Sequence, residues 1–202
     1  MNTFSTLGLI LGGSWASGIN LYLTIAGLGI AGRLGILELP GGLSVLENPI
    51  LITMAVLIYA IEFFADKIPL VDSVWDSFHT FIRPFGAGLM GYLATTNAGG
   101  EMQMGAALLC GSVALDAHLT KATARAAINT SPEPFTNIAA SVSEDALVFA
   151  ALWLIVRHPV IASILVISFI VFSIWFLRVM FRFLKKILSF FFGQRSSPDY
   201  NI

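Results

Sequence analysis

The stretch Pro159–Leu177, PVIASILVISFIVFSIWFL, contains no charged residue and mixes branched aliphatics with aromatics from end to end. A helix needs about 20 mostly apolar residues to cross the ~30 Å hydrocarbon core of a bilayer, so this stretch suits lipid better than water. The rest of the chain shares its character. Of 202 residues, 56% are hydrophobic and 11% charged, and the mean hydropathy is +0.83, which excludes an ordinary soluble domain. Directly after the stretch the charge pattern changes. Five of the eleven Lys and Arg residues lie between Arg178 and Arg195, ahead of the only late acid, Asp199.

Working back towards the start, charge-free runs define further spans at Met1–Gly32, Asn48–Ile61, Pro84–Gly100, Met102–Leu115 and Ala146–Val156. Six spans is the simplest count. The first run exceeds one straight span and is cut by Gly12, Gly13 and Gly18, so its membrane part is expected from Ser14, with residues 1–13 interfacial or re-entrant. No basic segment precedes it, so no secretory signal is read and Met1 is expected to be retained. Placing both termini in the cytoplasm puts Lys67, Arg83, Lys121, Arg125 and the tail cations inside and only Arg33 and Arg157 outside. Two spans look too short: Glu47 and Glu62 are fifteen steps apart, and Glu144 and Arg157 thirteen. Some charge must therefore lie below the headgroups.

The chain also matches itself. Gly13, Ser14, Ala16 and Leu21 recur as Gly111, Ser112, Ala114 and Leu119, and Ser44, Val45 and Glu47 recur as Ser141, Val142 and Glu144. The offset is nearly constant. The expected fold is an all-α polytopic membrane protein of two inverted three-helix repeats, residues 14–97 and 98–181, followed by a basic cytoplasmic tail, residues 182–202. Chance matching in a small apolar alphabet is the competing explanation.

Several motifs are shared with a known family: Ser17-Gly18 with Tyr22, Glu62-x-x-x-Asp66-Lys67-x-Pro69, His79-x-x-x-Arg83-Pro84, His118-x-x-Lys121-x-x-x-Arg125, Asn129-x-Ser131-Pro132-Glu133-Pro134 and Ser143-Glu144-Asp145. Across Ser17–Pro159 the chain resembles a bacterial integral-membrane family catalogued as domain of unknown function 4126. The resemblance implies a six-span-like core in the bacterial inner membrane. It implies no substrate, reaction or cofactor.

The residues that carry chemistry are the ionisable ones inside apolar segments, because charge in lipid is costly. On a helix His118, Lys121 and Arg125 share a face that suits a phosphate or carboxylate, or simply anchors the helix at the interface. Asp116 lies two residues from His118. Glu62 and Asp66, four apart, suggest a cation or proton step, or a solvated helix end tied to Arg83. Glu144 and Asp145 are expected to open the fifth span, with Ser141 or Ser143 as cap. Leu70–Ile82, with Trp75 and Phe78, reads as an interfacial amphipathic connection. Asn20 falls opposite His118 in the repeat and, with Tyr22, completes the expected pathway. The glycines at 27, 29, 32, 35, 86, 88 and 91 are read as packing positions.

Transport of a small solute or ion through these residues is the leading functional reading. Lipid handling, as a flippase or an intramembrane enzyme with His118 as base and Asp116 or Glu144 orienting it, is the alternative, as is a membrane scaffold. No GxSxG, HExxH or cysteine motif supports catalysis, and the single cysteine, Cys110, leaves no disulfide or Cys/His metal site. No enzyme activity, cofactor or metal is therefore expected. The expected partners are membrane lipids, an ion or small solute, and a further copy of the chain. Nucleic acid is not expected, since lipid accounts for the tail's charge.

Overall fold

A computed structural model describes residues 3–129 and 134–192; Ser131, Pro132 and Glu133, expected as a loop or re-entrant break, and the tail beyond residue 192 lie outside the described residues. Among the described residues the chain is all helix: α1 (Thr3–Ile19), α2 (Leu21–Arg33), α3 (Pro49–Ala65), α4 (Pro69–Ala94), α5 (Gly100–Ile128), α6 (Pro134–Arg157) and α7 (Pro159–Phe192), with 3-10 helices at Gly41–Glu47 and Thr96–Ala98. Four helices open on proline, whose fixed φ suits the first turn and whose missing N–H is not needed there. Asn20 separates α1 from α2. Its φ of −149° leaves the helical region, and its Oδ1 accepts the Leu23 N–H at 2.9 Å as an N-cap.

That break reverses the chain. Gly13 before it faces Leu28 after it, while Gly12 and Gly27 both face one level of α6, at Ile155 and Leu152. The expected first span, Ser14–Gly32, is instead an antiparallel hairpin. After α2 and the first 3-10 helix, α3 descends, α4 rises, α5 descends, α6 rises and α7 descends: Glu62 meets Arg83, His118 meets Thr80, Asp145 meets Asn20, and Ser173 meets Asp116. We call the end holding the α3–α4 turn the base and the end holding both 3-10 helices the top. At the top, Gly42 N–H donates to the Thr96 hydroxyl at 2.9 Å and ties the two 3-10 helices together.

Thr3 thus starts at the top and Phe192 ends at the base, so the described chain does not begin and end on one side as expected. Helices α1 and α5, matched by the repeat, run in the same direction and are not inverted. The matched pairs α3 and α6, and α4 and α7, do run oppositely. The expected Leu70–Ile82 connection and the expected Pro84–Gly100 span as far as Ala94 form one helix, α4, with Pro84 inside it. Glu144 and Asp145 lie in the third turn of α6 and cap nothing, because that helix starts at Pro134.

Two helices are long and apolar enough to cross a membrane, Phe135–Arg157 and Pro159–Phe183, and the pair Gly41–Glu47 with Pro49–Ala65, bent by 68°, makes a third if read as one broken span. These helices mark a membrane protein. Polarity is distributed inside out. On α4 the large exposed side chains include Leu70, Val74, Phe78, Phe81, Phe85 and Leu89, beside the small exposed Ser73 and Ser77, whereas Asp72, Asp76, His79 and Arg83 are buried. Near the top the core is conventional, with Leu9, Leu28, Leu43, Leu46, Met90 and Ile155 packed together.

Close helix approach builds the centre of the bundle. A Cβ on Gly18 of α1 would lie 2.4 Å from the Ala114 carbonyl oxygen and 2.7 Å from Ala117 Cβ, so only glycine admits α5 here. This contact brings the end of α1 against the charged half of α5.

Candidate functional site

Between this crossing and the base lies a network of charged side chains taken from four helices, α3, α4, α5 and α6. Glu62, Asp72, Arg83 and His118 are fully buried, Asp66, Asp76, Lys121, Arg125 and Asp145 are nearly so, and the Glu144 side chain is 15% exposed. The helix break at Asn20 organises it. The carbonyls at the end of α1 have no helical partners, and two cations take them: Arg83 Nη1 donates to Gly18 O at 3.1 Å and Lys121 Nζ to Ile19 O at 3.3 Å.

Each cation is held by several acceptors. Arg83 pairs with Glu62 and stands 3.4 Å from Asp76 Oδ1. Lys121 Nζ reaches Asp66 Oδ2 and Glu144 Oε2, both at 3.2 Å, so with Ile19 O its three protons have three acceptors. Arg125 donates through Nη2 to Glu144 Oε2 at 3.2 Å, its Nε standing 3.0 Å from Oε1 as an ion pair and without a hydrogen bond, and through Nη1 to Asn137 O at 2.9 Å and to Asn137 Oδ1. Asn137 passes the link on, donating to Asp66 O at 3.0 Å. Asp72 accepts from Asn129 Nδ2 at 3.1 Å, with Arg125 3.7 Å away.

The upper rim is neutral donors on acids. Asn20 Nδ2 donates to Asp145 Oδ1 at 3.3 Å and the Tyr59 hydroxyl to Asp145 Oδ2 at 3.1 Å. His79 Nδ1 donates to Trp75 O at 2.8 Å, which fixes Nε2 as acceptor for the Tyr22 hydroxyl at 3.1 Å. At the α3–α4 turn Lys67 lies 3.0 Å from the centre of the Phe63 ring and donates to Phe63 O at 2.7 Å; burial pushes its ammonium below the usual lysine range.

The structure therefore gathers Asn20, Tyr22, Glu62, Asp66, His118, Lys121, Arg125, Glu144 and Asp145 into one region. Asp116 stands apart. Its carboxylate accepts from the Ser173 hydroxyl on α7, at 2.7 and 2.8 Å, and reaches neither His118 nor the network. The donor face His118–Lys121–Arg125 is not an open anion site, because its protons are spent on Thr80, Asp66, Glu144 and Asn137. Nor is His118 a base oriented by Asp116 or Glu144. Its Nδ1 accepts from Arg83 Nη1 at 2.9 Å and its Nε2 donates to Thr80 Oγ1 at 3.0 Å, whose own proton goes to Asp76 O.

Asp72, Asp76, His79, Arg83 and Asn137 belong to the site and were not among the expected pathway residues. A signal existed for four of them. Positions 72, 76, 79 and 83 repeat at helical spacing between large apolar residues, which is the mark of a polar stripe on a lipid-facing helix. Among the described residues no group of His, Cys, Asp and Glu has metal-binding geometry.

The family model described as Domain of unknown function (DUF4126) matches residues 7–179, and the chain belongs to that family. No curated protein and no solved structure matches the chain.

Proposed function

We propose that this member of the DUF4126 family is a membrane transporter or channel-like protein that moves a proton or small monovalent cation through the buried network. One observation carries the reading: six carboxylates, Glu62, Asp66, Asp72, Asp76, Glu144 and Asp145, face three buried cations, Arg83, Lys121 and Arg125. Lys67 at the rim still leaves acid in excess. Moreover Glu62 Oε2, Asp66 Oδ1, Asp72 Oδ1 and Asp76 Oδ1 are buried and accept no hydrogen bond. Surplus negative charge in a site away from water is stable only when a further positive charge neutralises it, and protons and small cations are the mobile ones.

In this reading α3–α7 cross the bilayer and the α1–α2 hairpin enters from the top to about its middle. The apolar outer stripe of α4 supports a crossing, and at 26 residues the helix is about 39 Å long. Its charges face inward, which is why composition alone does not mark it as a span. The opposite directions of α3–α4 and α6–α7, together with a helix broken beside the charged site, are arrangements that transporters share. Arg178, Arg182, Lys185 and Lys186 on α7, beyond the network, favour a cytoplasmic base, and a bacterial inner membrane rests on the resemblance.

Lipid handling is the second reading, favoured by an apolar groove of about 340 Å³ between α1, α6 and α7 lined by Trp15, Leu154, Leu165 and Phe169. Proteoliposomes loaded with a pH-sensitive or a sodium-sensitive dye, or carrying a fluorescent phospholipid, separate the two. Ion movement above that of empty liposomes supports the first reading, and lipid movement without ion movement overturns it.

A further inference from the structure

Ser173 on α7 lies inside the apolar span Pro159–Phe183. Measured along the helix axis it is about 21 Å from the start of that span and about 15 Å from its end, deep in the hydrocarbon layer. Asp116 of α5 meets it at this depth, apart from the buried network. Ser173 is fully buried and Asp116 half-buried, while Leu115 and Ile174, their sequence neighbours, are exposed, so the carboxyl lies in a seam between α5 and α7 that opens sideways to lipid. Among the described residues Ser173 is its only polar partner. No cation stands nearby to offset a charge. Helix α1 carries no charged side chain, and the first on α7, Arg178, is five residues past Ser173 and makes no ion pair with Asp116. The charges that α4 and α6 bring to α5 meet His118, Lys121 and Arg125, which lie on its opposite face.

Counting protons decides the state of this pair. Three oxygens surround the Ser173 hydroxyl: Asp116 Oδ2 at 2.7 Å, Asp116 Oδ1 at 2.8 Å and Ile170 O at 2.9 Å. A hydroxyl has one proton and two lone pairs. With Asp116 ionised, that one proton is divided among three acceptors and a full negative charge is left in hydrocarbon with no cation, a state in which carboxyl groups neutralise. With Asp116 protonated, its O–H donates to Ser173 Oγ and the Ser173 O–H donates to Ile170 O, the backbone bond that serine commonly makes within a helix. Each proton then has its own acceptor. We propose that Asp116 is a proton-binding carboxyl open to the lipid, with Ser173 as the acceptor of its proton, and a site separate from the buried network. The proposal goes beyond the transport reading and does not rest on it, because the span that carries Ser173 follows from the length and composition of α7.

The test uses the full-length protein in nanodiscs at neutral pH and has two readouts. Infrared spectroscopy reads the proton: wild type is expected to show the carbonyl band of a protonated carboxylic acid that Asp116→Asn lacks. The asparagine amide donates to Ser173 where the acid did, so this variant is expected to fold. Ser173→Ala keeps the acid and removes its partner, so the same band is expected to move to higher frequency, which decides the question even if Asp116→Asn fails to fold. No acid band that responds to either variant overturns the proposal. Dicyclohexylcarbodiimide reads the opening to lipid, since it travels in the bilayer and adds to the acid form. The acid proton goes to a carbodiimide nitrogen, the carboxyl oxygen bonds the central carbon, and the acyl group then shifts to the second nitrogen, so the peptide gains the whole reagent and nothing leaves. Peptide mass spectrometry is expected to find Asp116 labelled at least tenfold more by this reagent than by a charged, water-soluble carbodiimide. No label on folded wild type, or equal labelling by both reagents, overturns the opening to lipid.

Discussion

Arg83 on α4 donates to the Nδ1 of His118 on α5 at 2.9 Å. A guanidinium does not accept, so His118 presents a lone pair there and carries its proton on Nε2, towards Thr80. Protonating the ring would set two donors against each other beside a fixed positive charge. His118 is in this way a neutral spacer between Arg83 and Thr80 and not a proton relay.

A side chain that accepts at one end and donates at the other therefore replaces it. His118→Gln is expected to fold and to keep ion flux within about threefold of wild type. His118→Leu, which orphans the Arg83 and Thr80 groups, is expected to lose about 1–3 kcal/mol. Thermal unfolding and proteoliposome flux on both variants check this, and loss of flux in a well-folded His118→Gln protein assigns the ring a titrating role.

Arg83 holds Glu62, Asp76, His118 and the Gly18 carbonyl together from one planar group. Its removal leaves buried carboxylates without their cation, and Arg83→Ala is expected to cost about 3–5 kcal/mol. Lysine offers a point charge and no fork, so Arg83→Lys is expected to recover less than half of that loss. Denaturant titration in detergent measures both.

Asn20 caps α2 and donates to Asp145. Asn20→Ala removes both bonds and is expected to destabilise the hairpin by about 1–2 kcal/mol, with Asn20→Asp restoring the cap but setting a second acid against Asp145. Amide exchange at Leu23 and Thr24 is the local readout. Faster exchange in the Ala variant is the expected result.

Gly18 touches the backbone of α5, with the Ala114 carbonyl 2.4 Å from where a Cβ would sit. Gly18→Val is expected to push the two helices apart and to cost about 1–3 kcal/mol. Gly105, inside α5 with nothing within 4 Å, is the control, and Gly105→Ala is expected to stabilise by about 0.5–1 kcal/mol through helix propensity alone.

Topology has its own test, because the one native cysteine, Cys110, is buried. In sealed vesicles, Thr3→Cys and Arg182→Cys are expected to react with a membrane-impermeant maleimide from opposite sides. Labelling of both from one side contradicts a hairpin followed by five crossings.

The membrane character was legible in the sequence because it rests on composition and on runs such as Pro159–Leu177. Span boundaries were not, and the reason lies in where the charges went. Placing each span between charged residues works when charge marks the interface. Here Asp72, Arg83, Lys121 and Glu144 sit inside their helices and point at one another, so α4, α5 and α6 run well past the charge-free windows. The short segments from Glu47 to Glu62 and from Glu144 to Arg157, and the polar stripe at 72, 76, 79 and 83, were the sequence clues to this. The hairpin escaped notice because a single Asn between apolar residues resembles any tolerated polar residue in a span. What makes Asn20 a reversal is tertiary, namely Arg83 and Lys121 capturing the carbonyls it frees. Most residues of the buried network were legible since an ionisable group in an apolar segment attracts attention by itself. Asp116 misled for the same reason, its partner Ser173 lying 57 residues away on α7.

The claim that the acid-rich network carries a mobile positive charge is tested most directly by current. Proteoliposomes adsorbed on a solid-supported membrane and given a step in sodium or proton concentration are predicted to show a transient current for wild type. A folded Glu62→Gln protein, with one buried charge removed and its volume kept, is predicted to show a current at least tenfold smaller. No current from wild type under either step, or an equal current from Glu62→Gln, contradicts the account.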